Sequence, residues 1–379
     1  MKIVHLSDLH LGKRLGEFSL AEDQAFILKQ ILDIISVEAP DAVVIAGDVY
    51  DKTVPPAEAV QLFSDFITAL SRQKITCFII SGNHDSPERI AFGSEIMKVG
   101  GVHLSPVYSG TVTPVTLDDE FGRVNFYMLP FVKPSTVRRC LDNEELQSYG
   151  EAIAAAVEKM NINKNERNVL ITHQFVTGAE LSQSEDISAG GSESVPADIF
   201  SGFDYTALGH IHRPQNIGGE KIRYCGTPLK YSFFEANQQK SVTIAELGKK
   251  GTVNVRAVPL VPLHDMVELK GSYEELTDKD FLESGNHSED YVRIILTDEE
   301  DVPDALAKLR LRYHNLMRLD YDNKRTRKNL LLPDPEETED KPPIELFSEF
   351  FELRNNQPMT DEQRIFMEKL IGSVWSEIQ

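Results

Sequence analysis

Five short segments of this chain carry the residue types that hold metal ions: Asp8-Leu9-His10, Gly47-Asp48, Gly82-Asn83-His84-Asp85, His173 and Gly209-His210-Ile211-His212. Residues i and i+2 of an extended chain point the same way, so Asp8 and His10 can share one ion. Gly47 allows a tight turn and a close approach of backbone to a site. Five of the ten histidines, His10, His84, His173, His210 and His212, lie in these segments. Imidazole nitrogens with carboxylate and amide oxygens, and no thiolate, suit manganese, iron or zinc at a reactive centre rather than a structural zinc. A carboxylate that bridges two cations lowers their repulsion. Two such ions, about 3.5–4 Å apart, can clamp a phosphate and bind the hydroxide that attacks it. They also offset the charge that grows on the phosphate oxygens. Each segment alone is weak, since Gly-Asp is common in turns and a strand-end histidine is usually a hydrogen-bonded structural residue. Their joint occurrence, in order, carries the reading.

The elements that must position them are strands. Residues 2–7, 41–46 and 75–81 are short apolar, β-prone runs, separated by helical rhythms over 20–37 and 56–71. Further strands are expected at 123–129, 168–172, 205–209, 221–225 and 241–247, with a helix over 145–160. Fully apolar strands alternating with helices indicate an α/β sheet covered on both faces. Each polar segment then follows a strand, at the carboxyl ends where open α/β sheets bind ligands. Residues 177–196 are Ser/Gly-rich and contain Gly190-Gly191, which reads as a long loop, either a mobile insertion or a lid.

A boundary near residues 259–262 leaves a body of 1–262 and a small α/β unit of 263–330, with strands at 266–269, 291–296 and 317–321 and a helix over 302–313. Residues 331–343 are acidic and Pro-rich, a linker composition. In the last stretch, 344–379, Ile344, Phe347, Phe350 and Phe351 share a helical face. Thr360 and Gln363 make a capping box. Met367, Leu370, Ile371, Val374, Trp375 and Ile378 then recur at spacings of 3, 4, 7, 8 and 11, one apolar stripe. The stripe either folds back on the body or docks on a partner, and the preceding linker and the single Trp favour a partner.

Composition bounds the answer. At 379 residues, 41% hydrophobic and 26% charged, the chain is globular in type and long enough for two or three domains. No apolar run reaches the roughly 18–20 residues that cross a bilayer, so no membrane association is expected. The strand-like start Lys2-Ile3-Val4-His5-Leu6 has no signal-peptide layout. Cys77, Cys140 and Cys225 form neither a disulfide framework nor a zinc pattern, which fits a reducing cytoplasm. The net charge of −21 argues against a simple nucleic-acid coat protein.

Asp8/His10, Asp48, Asn83-His84, His173 and His210/His212 resemble, in order and strand placement, the signature of the calcineurin-like metallophosphoesterases. Within that family the chain is similar to the nucleases that work with an ATPase. The residues that carry this are Met1-Lys2-Ile3-Val4-His5-Leu6-Ser7-Asp8-Leu9-His10-Leu11-Gly12, Gly47-Asp48-Val49-Tyr50-Asp51, Asp204 through His212, and Tyr224-Cys225-Gly226-Thr227-Pro228-Leu229. The resemblance spans essentially the whole chain. It implies layered β-sheets flanked by helices, with a smaller α/β capping domain and C-terminal helices. It implies two divalent ions, manganese foremost, one held by Asp8, His10, Asp48 and His212 and the other by Asp48, Asn83, His173 and His210. His84 would stand outside the coordination, over the phosphate, as general acid toward the leaving oxygen or as a transition-state donor. The implied activity is ATP-dependent 3′→5′ exonuclease and hairpin endonuclease cleavage of duplex DNA, in DNA recombination, repair and replication. The implied partners are an ATPase whose coiled-coil base is gripped by residues 344–379, double-stranded DNA ends and hairpins, and a second copy of the chain as a further candidate.

One departure stands out: Asp51 occupies a position where archaeal and eukaryotic relatives carry a histidine that helps to orient DNA. Two other readings compete. A stand-alone metallophosphoesterase would act on small phosphodiesters or phosphoproteins, but Lys52 stands where protein phosphatases usually place Arg. A metal-free adaptor would be expected to have lost ligands. Of the other polar residues, His5 is expected to be structural, and His103, His264, His287 and His314 have no partner pattern. Lys13 and Arg14 read as a solvated loop or a phosphate contact. Lys324, Arg325, Arg327 and Lys328 form the densest basic cluster, a solvated linker or a partner surface.

Overall fold

The computed structural model describes residues 1–181, 194–279, 281, 285, 287–324, 326, 343–355 and 359–378, with the backbone alone at 343, 349, 352–355 and 372–378. Most of the 177–196 loop, all but the last residue of the 331–343 linker, Arg325, Arg327 and Lys328, and the side chains of Val374, Trp375 and Ile378 therefore lie outside the described residues. The chain divides into two compact units, Met1–Met266 and Val267–Gln379.

In the first unit the strands are β1 (Lys2–Leu6), β2 (Arg14–Leu15), β3 (Phe18–Ser19), β4 (Ala42–Ala46), β5 (Thr76–Ile80), β6 (Val102–Leu104), β7 (Val115–Asp119), β8 (Gly122–Leu129), β9 (Arg167–His173), β10 (Tyr205–Gly209), β11 (Gln215–Asn216), β12 (Ile222–Tyr224), β13 (Ser241–Leu247) and β14 (Val253–Pro259). Its helices are α1 (Ala21–Glu38), α2 (Ala57–Arg72), α3 (Pro87–Ile90), α4 (Ser94–Val99), α5 (Pro134–Leu141) and α6 (Tyr149–Glu158). Two six-stranded sheets result, in the orders β14-β13-β1-β4-β5-β6 and β11-β12-β10-β9-β8-β7. β1, β4, β5 and β6 run parallel, as do β8, β9, β10 and β12.

The sheets bury their apolar faces against each other. Ile3, Val44, Phe78 and Ile80 from one meet Phe126, Met128, Val169, Ile171 and Ala207 from the other in one core cluster. Phe78 and Phe126 stack with ring centroids 4.3 Å apart. The helices cover the outer faces: α1 buries Ile27, Leu28, Ile31 and Ile35, and α2 buries Phe63, Phe66, Ile67 and Leu70. On the second sheet, Ala152, Ile153, Ala156 and Val157 of α6 join a further core with Leu170, Leu208 and Tyr224. This is the layered, helix-flanked β arrangement expected. Strands buried on both faces read as continuous apolar runs because no side of them meets water.

The differences sit at edges. β7 and β14 went unread because they are half-exposed strands, each held by one antiparallel neighbour. The helix expected over 145–160 starts at Tyr149, where Ser148 and Glu151 satisfy each other's backbone N–H groups in a capping box.

The second unit holds the sheet β15-β16-β17, whose strands are β15 (Met266–Gly271), β16 (Tyr291–Leu296) and β17 (Asn315–Tyr321). Its helices are α7 (Tyr273–Thr277), α8 (Ala305–Arg310), α9 (Pro343–Asn355) and α10 (Asp361–Ile378). The helix expected over 302–313 is shorter, because Asp304 takes a left-handed φ of 54° and starts it anew. Val292, Ile294, Leu296, Leu309 and Leu316 form its core. The Thr360–Gln363 capping box is present, with Gln363 Oε1 accepting from Thr360 N at 2.9 Å and Thr360 Oγ1 from Gln363 N at 3.3 Å.

Candidate metal centre

The polar segments leave their strands at one end of the two sheets and are tied together by their backbones. Asp8 N donates to Gly47 O at 3.0 Å, and His10 N to Asp48 O at 3.0 Å. Asp8, His10, Asp48 and His210 all take positive φ, at 53°, 44°, 48° and 104°. Side chains other than Gly tolerate that region poorly, and strain of this kind collects where function over-determines the backbone. The glycines are steric necessities. A Cβ on Gly82 would lie 2.1 Å from Asp48 Oδ1, and one on Gly209 would lie 2.0 Å from Ala46 O.

These loops bring the expected residues together. Asp8, His10 and His212 present donor atoms within 4.8 Å of one another, and so do Asp8, Asp48 and His173. Asn83 Oδ1 lies 2.9 Å from His173 Nε2 and 3.0 Å from His210 Nδ1. Asp48 Oδ2 lies 3.3 Å from His173 Nε2 and 3.8 Å from His10 Nε2, between the two clusters. Its other oxygen accepts from His84 N at 2.9 Å. His84 Nε2 is also near, 4.0 Å from Asp48 Oδ2, and forms a third group with His10 and Asp48. Exposure separates His84 from the rest: its side chain is 29% exposed, against 1% for His10 and 0% for His173.

The protonation pattern tests whether cations fit. Both nitrogens of His10 are buried without a hydrogen-bond partner, a costly state for a polar group unless something else takes its lone pair. His173 Nδ1 lies 2.8 Å from Ala46 O, while Nε2 faces Asn83 Oδ1 and Asp48. All of these accept, so His173 carries both protons. Burial opposes that charge, but Asp48 and Asp8 outweigh it and push the pKa up to about 9. Burial raises the Asp8 pKa, and the Asp48 carboxylate adds to the rise. For Asp48 burial acts upward too, but the charge and hydrogen bond of His173 hold the carboxyl far below its usual range. Burial lowers His10 well below its ordinary value and His210 to about 3, so both present neutral imidazoles. Neutral imidazoles and carboxylates that need a counter-charge are what divalent cations bind, displacing a proton held between two acceptors. The residues present fit such ions.

Several bracing residues escaped the sequence reading. Asp85 accepts from the backbones of Gly82, Val49 and Tyr50 at 2.9–3.1 Å and so staples two loops; burial and then Asp48 raise its pKa to about 7. Gln24 Nε2 donates to His10 O at 2.7 Å, and Tyr231 O–H donates to Leu9 O. Glu235, fully buried, accepts from His212 Nδ1 at 3.0 Å and pairs with the buried Lys240 at 2.6 Å. No spacing in Phe233-Phe234-Glu235-Ala236 marks that glutamate as interior.

The remaining polar residues settle into structural places. His5 is buried, with Nδ1 accepting from the Tyr205 hydroxyl at 2.8 Å and Nε2 donating to Leu208 O at 3.2 Å. Lys13 pairs with the Asp51 carboxylate at 2.7 Å, and Arg14 donates to Glu17 O at 2.6 Å. Asp51 touches His84 through its backbone carbonyl, which accepts from Nδ1 at 3.0 Å, while its carboxylate lies 3.8 Å from His10 Nδ1. His103 stacks on Phe78, His264 pairs with Asp23, His287 with Asp290 and His314 with Glu289.

Residues 1–214 match the family model of the calcineurin-like phosphoesterases, and residues 262–355 match that of the type 5 capsule protein repressor C-terminal domain. The chain belongs to the calcineurin-like phosphoesterase family, and it is an enzyme of the metal-dependent phosphodiesterase class. Within it, the chain is similar to proteins named as the SbcD component of the nuclease SbcCD. That of Staphylococcus epidermidis is 35% identical over 323 residues, covering 84% of this chain and 85% of the relative. That of Staphylococcus saprophyticus is 33% identical over 323 residues, covering 84% of each. These relatives make this an SbcD-like nuclease. No described helix is long and apolar enough to cross a membrane.

Proposed function

We propose that this chain is the nuclease half of a cytoplasmic complex with an SbcC-like ATPase. It cleaves duplex DNA in an ATP-dependent manner, as a 3′→5′ exonuclease at ends and an endonuclease at hairpins, in recombination, repair and replication. The observation that supports this best is the convergence of two donor clusters on Asp48, beside a histidine with two unpartnered buried nitrogens.

One ion, manganese foremost, would be held by Asp8, His10, Asp48 and His212, and a second by Asp48, Asn83, His173 and His210. Bound there, such cations supply Lewis acidity that stabilises charge on the phosphate and lowers the pKa of an attacking water. The chain's own residues do the rest. Asp48 is oriented in advance by the His84 N–H, with its second oxygen between the clusters. His84 donates Nδ1–H to Asp51 O, so Nε2 is the nitrogen that carries the second proton and gives it to the leaving oxygen. Its partial exposure lets it meet a substrate that the buried ligands cannot reach.

The C-terminal helices would bind the ATPase. Phe347, Phe351, Met359, Phe366 and Met367 line a groove between α9 and α10, and Phe350, Ile365, Phe366 and Leu370 are exposed. Apolar side chains gathered in this way mark interaction surfaces.

The test is reconstitution with the ATPase, comparing manganese with magnesium on duplex ends, hairpins and a small chromogenic phosphodiester. ATP-stimulated cutting of duplex DNA is expected. A complex that hydrolyses only the small ester or phosphoproteins would make this a stand-alone phosphoesterase.

A further inference from the structure

The four histidines of the two clusters are not held alike. His173 donates to a neutral carbonyl, Ala46 O. His210 faces the Asn83 amide oxygen, and the nitrogens of His10 make no hydrogen bond, their nearest carboxylates standing 3.8 Å away. Among these contacts, His212 alone is hydrogen-bonded to a carboxylate outside the expected ligand set: its Nδ1 meets Glu235 Oε1 at 3.0 Å. A carboxylate can only accept there, so Nδ1 carries a proton and Nε2 is the nitrogen left to face an ion.

Glu235 is itself immobilised. Its Oε2 accepts from Lys240 Nζ at 2.6 Å, from Tyr231 N at 3.3 Å and from Thr227 Oγ1 at 3.4 Å. Lys240 uses all three of its donors: besides Glu235 it reaches His212 O at 3.0 Å and Gln238 Oε1 at 2.8 Å. The pair therefore grips His212 twice, at the ring through Glu235 and at the backbone through Lys240. Glu235 is 0% exposed and Lys240 4% exposed. Packing alone would not ask for two buried charges, since apolar residues of similar volume often stabilise a fold as well or better. The Tyr231 hydroxyl also bonds Leu9 O, so the same segment braces the Asp8-Leu9-His10 loop.

We propose that Glu235, held by Lys240, is a positioning residue that fixes His212 as an Nε2 ligand and makes the Asp8/His10/His212 position the tighter of the two metal positions. This rests on the two-ion reading above. A carboxylate behind a ligating imidazole fixes the ring and raises its basicity, and losing such a partner typically weakens metal affinity by about 10–100-fold. In the second position the described backing is a neutral carbonyl, Ala46 O behind His173, so its affinity should not move with Glu235.

The experiment is manganese titration of the full-length chain by calorimetry, with bound Mn(II) counted by electron paramagnetic resonance, for wild type, Glu235→Gln and the double variant Glu235→Gln/Lys240→Met. The wild type should bind two ions with unequal affinities. Glu235→Gln should weaken the tighter step by about 10–100-fold and leave the other within about twofold. The double variant also removes the buried charge of Lys240, so it should recover any lost thermal stability without recovering the tight step. That split is the result a merely structural pair would not give. If the double variant regains the tight step, or if Glu235→Gln shifts neither step or both equally, the positioning role is wrong while the two-ion reading stands. A wild type that binds fewer than two ions overturns the two-ion reading and the ranking with it.

Discussion

The metal centre and the terminal helices are built by opposite means. At the centre, bonds join residues far apart in sequence: His210 N donates to Asp8 Oδ1 at 3.1 Å across 202 positions, and His173 Nδ1 bonds Ala46 O across 127. The donor side chains there are paired, ionised or waiting for a cation, and the backbone is strained to hold them so. In α9 and α10 the contacts that fix the helices are close in sequence. Phe347 meets Phe350 and Phe351 within one helix, Arg364 meets Glu368, and Thr360 caps with Gln363. The first region is specified by chemistry that only the complete fold assembles. The second is specified by helical periodicity and leaves apolar side chains for another surface to cover. Changes in the first should therefore disable chemistry, and changes in the second should disable assembly.

Asp48→Ala tests the first half most severely. As the carboxylate between both clusters, its loss should remove both ions in elemental analysis and lower hydrolysis by at least about 10³-fold. One ion remaining at full occupancy would show that Asp48 does not bridge. His84→Ala should be gentler on binding and still severe on rate: two ions retained, with hydrolysis reduced by roughly 10²–10⁴-fold, the range for a lost general acid. Loss of metal on that change would move His84 into the coordination sphere, beside His10 and Asp48.

The second half is tested by removing residues 344–379. Co-purification with the ATPase should fall to background, while the remaining chain keeps its melting transition and its metal-dependent cleavage of a small phosphodiester. A truncated chain that no longer melts cooperatively would assign the helices to the core of the fold.

The contrast also explains what the sequence disclosed. β1, β4 and β5 are short strands buried beyond their first residue at most, so their runs Ile3-Val4, Val43-Val44-Ile45 and Phe78-Ile79-Ile80 are unbroken by polar residues. The candidate ligands stand directly after them, which makes both strand and site legible together. Glu235, Lys240 and Asp85 were not legible in this way. Each is a charged residue in a polar or mixed stretch, and its burial follows only from which loops the fold brings over it. Edge strands such as β14 were missed for a related reason: their residues meet the core on one face only, and a short alternation is a weak signal. Lys13 was legible as a cation next to the first ligands, but its engagement with Asp51 needs two loops 38 residues apart to meet.

The smallest effect should come from Thr360→Ala at the start of α10. Thr360 Oγ1 accepts from Gln363 N at 3.3 Å, and Gln363 Oε1 accepts from Thr360 N at 2.9 Å, so two backbone donors are satisfied by one reciprocal pair. Replacing an N-cap threonine by alanine costs about 1 kcal/mol of helix stability. Because the described contacts of this cap are local, the cost should stay in α10. Amide hydrogen exchange in the first turn should speed up roughly fivefold, the equivalent of about 1 kcal/mol, with exchange in β1, β4 and β9 and metal binding unchanged. If exchange in those strands or the metal content also changes, α10 is coupled to the centre, and the division between an assembled site and a locally specified docking element does not hold.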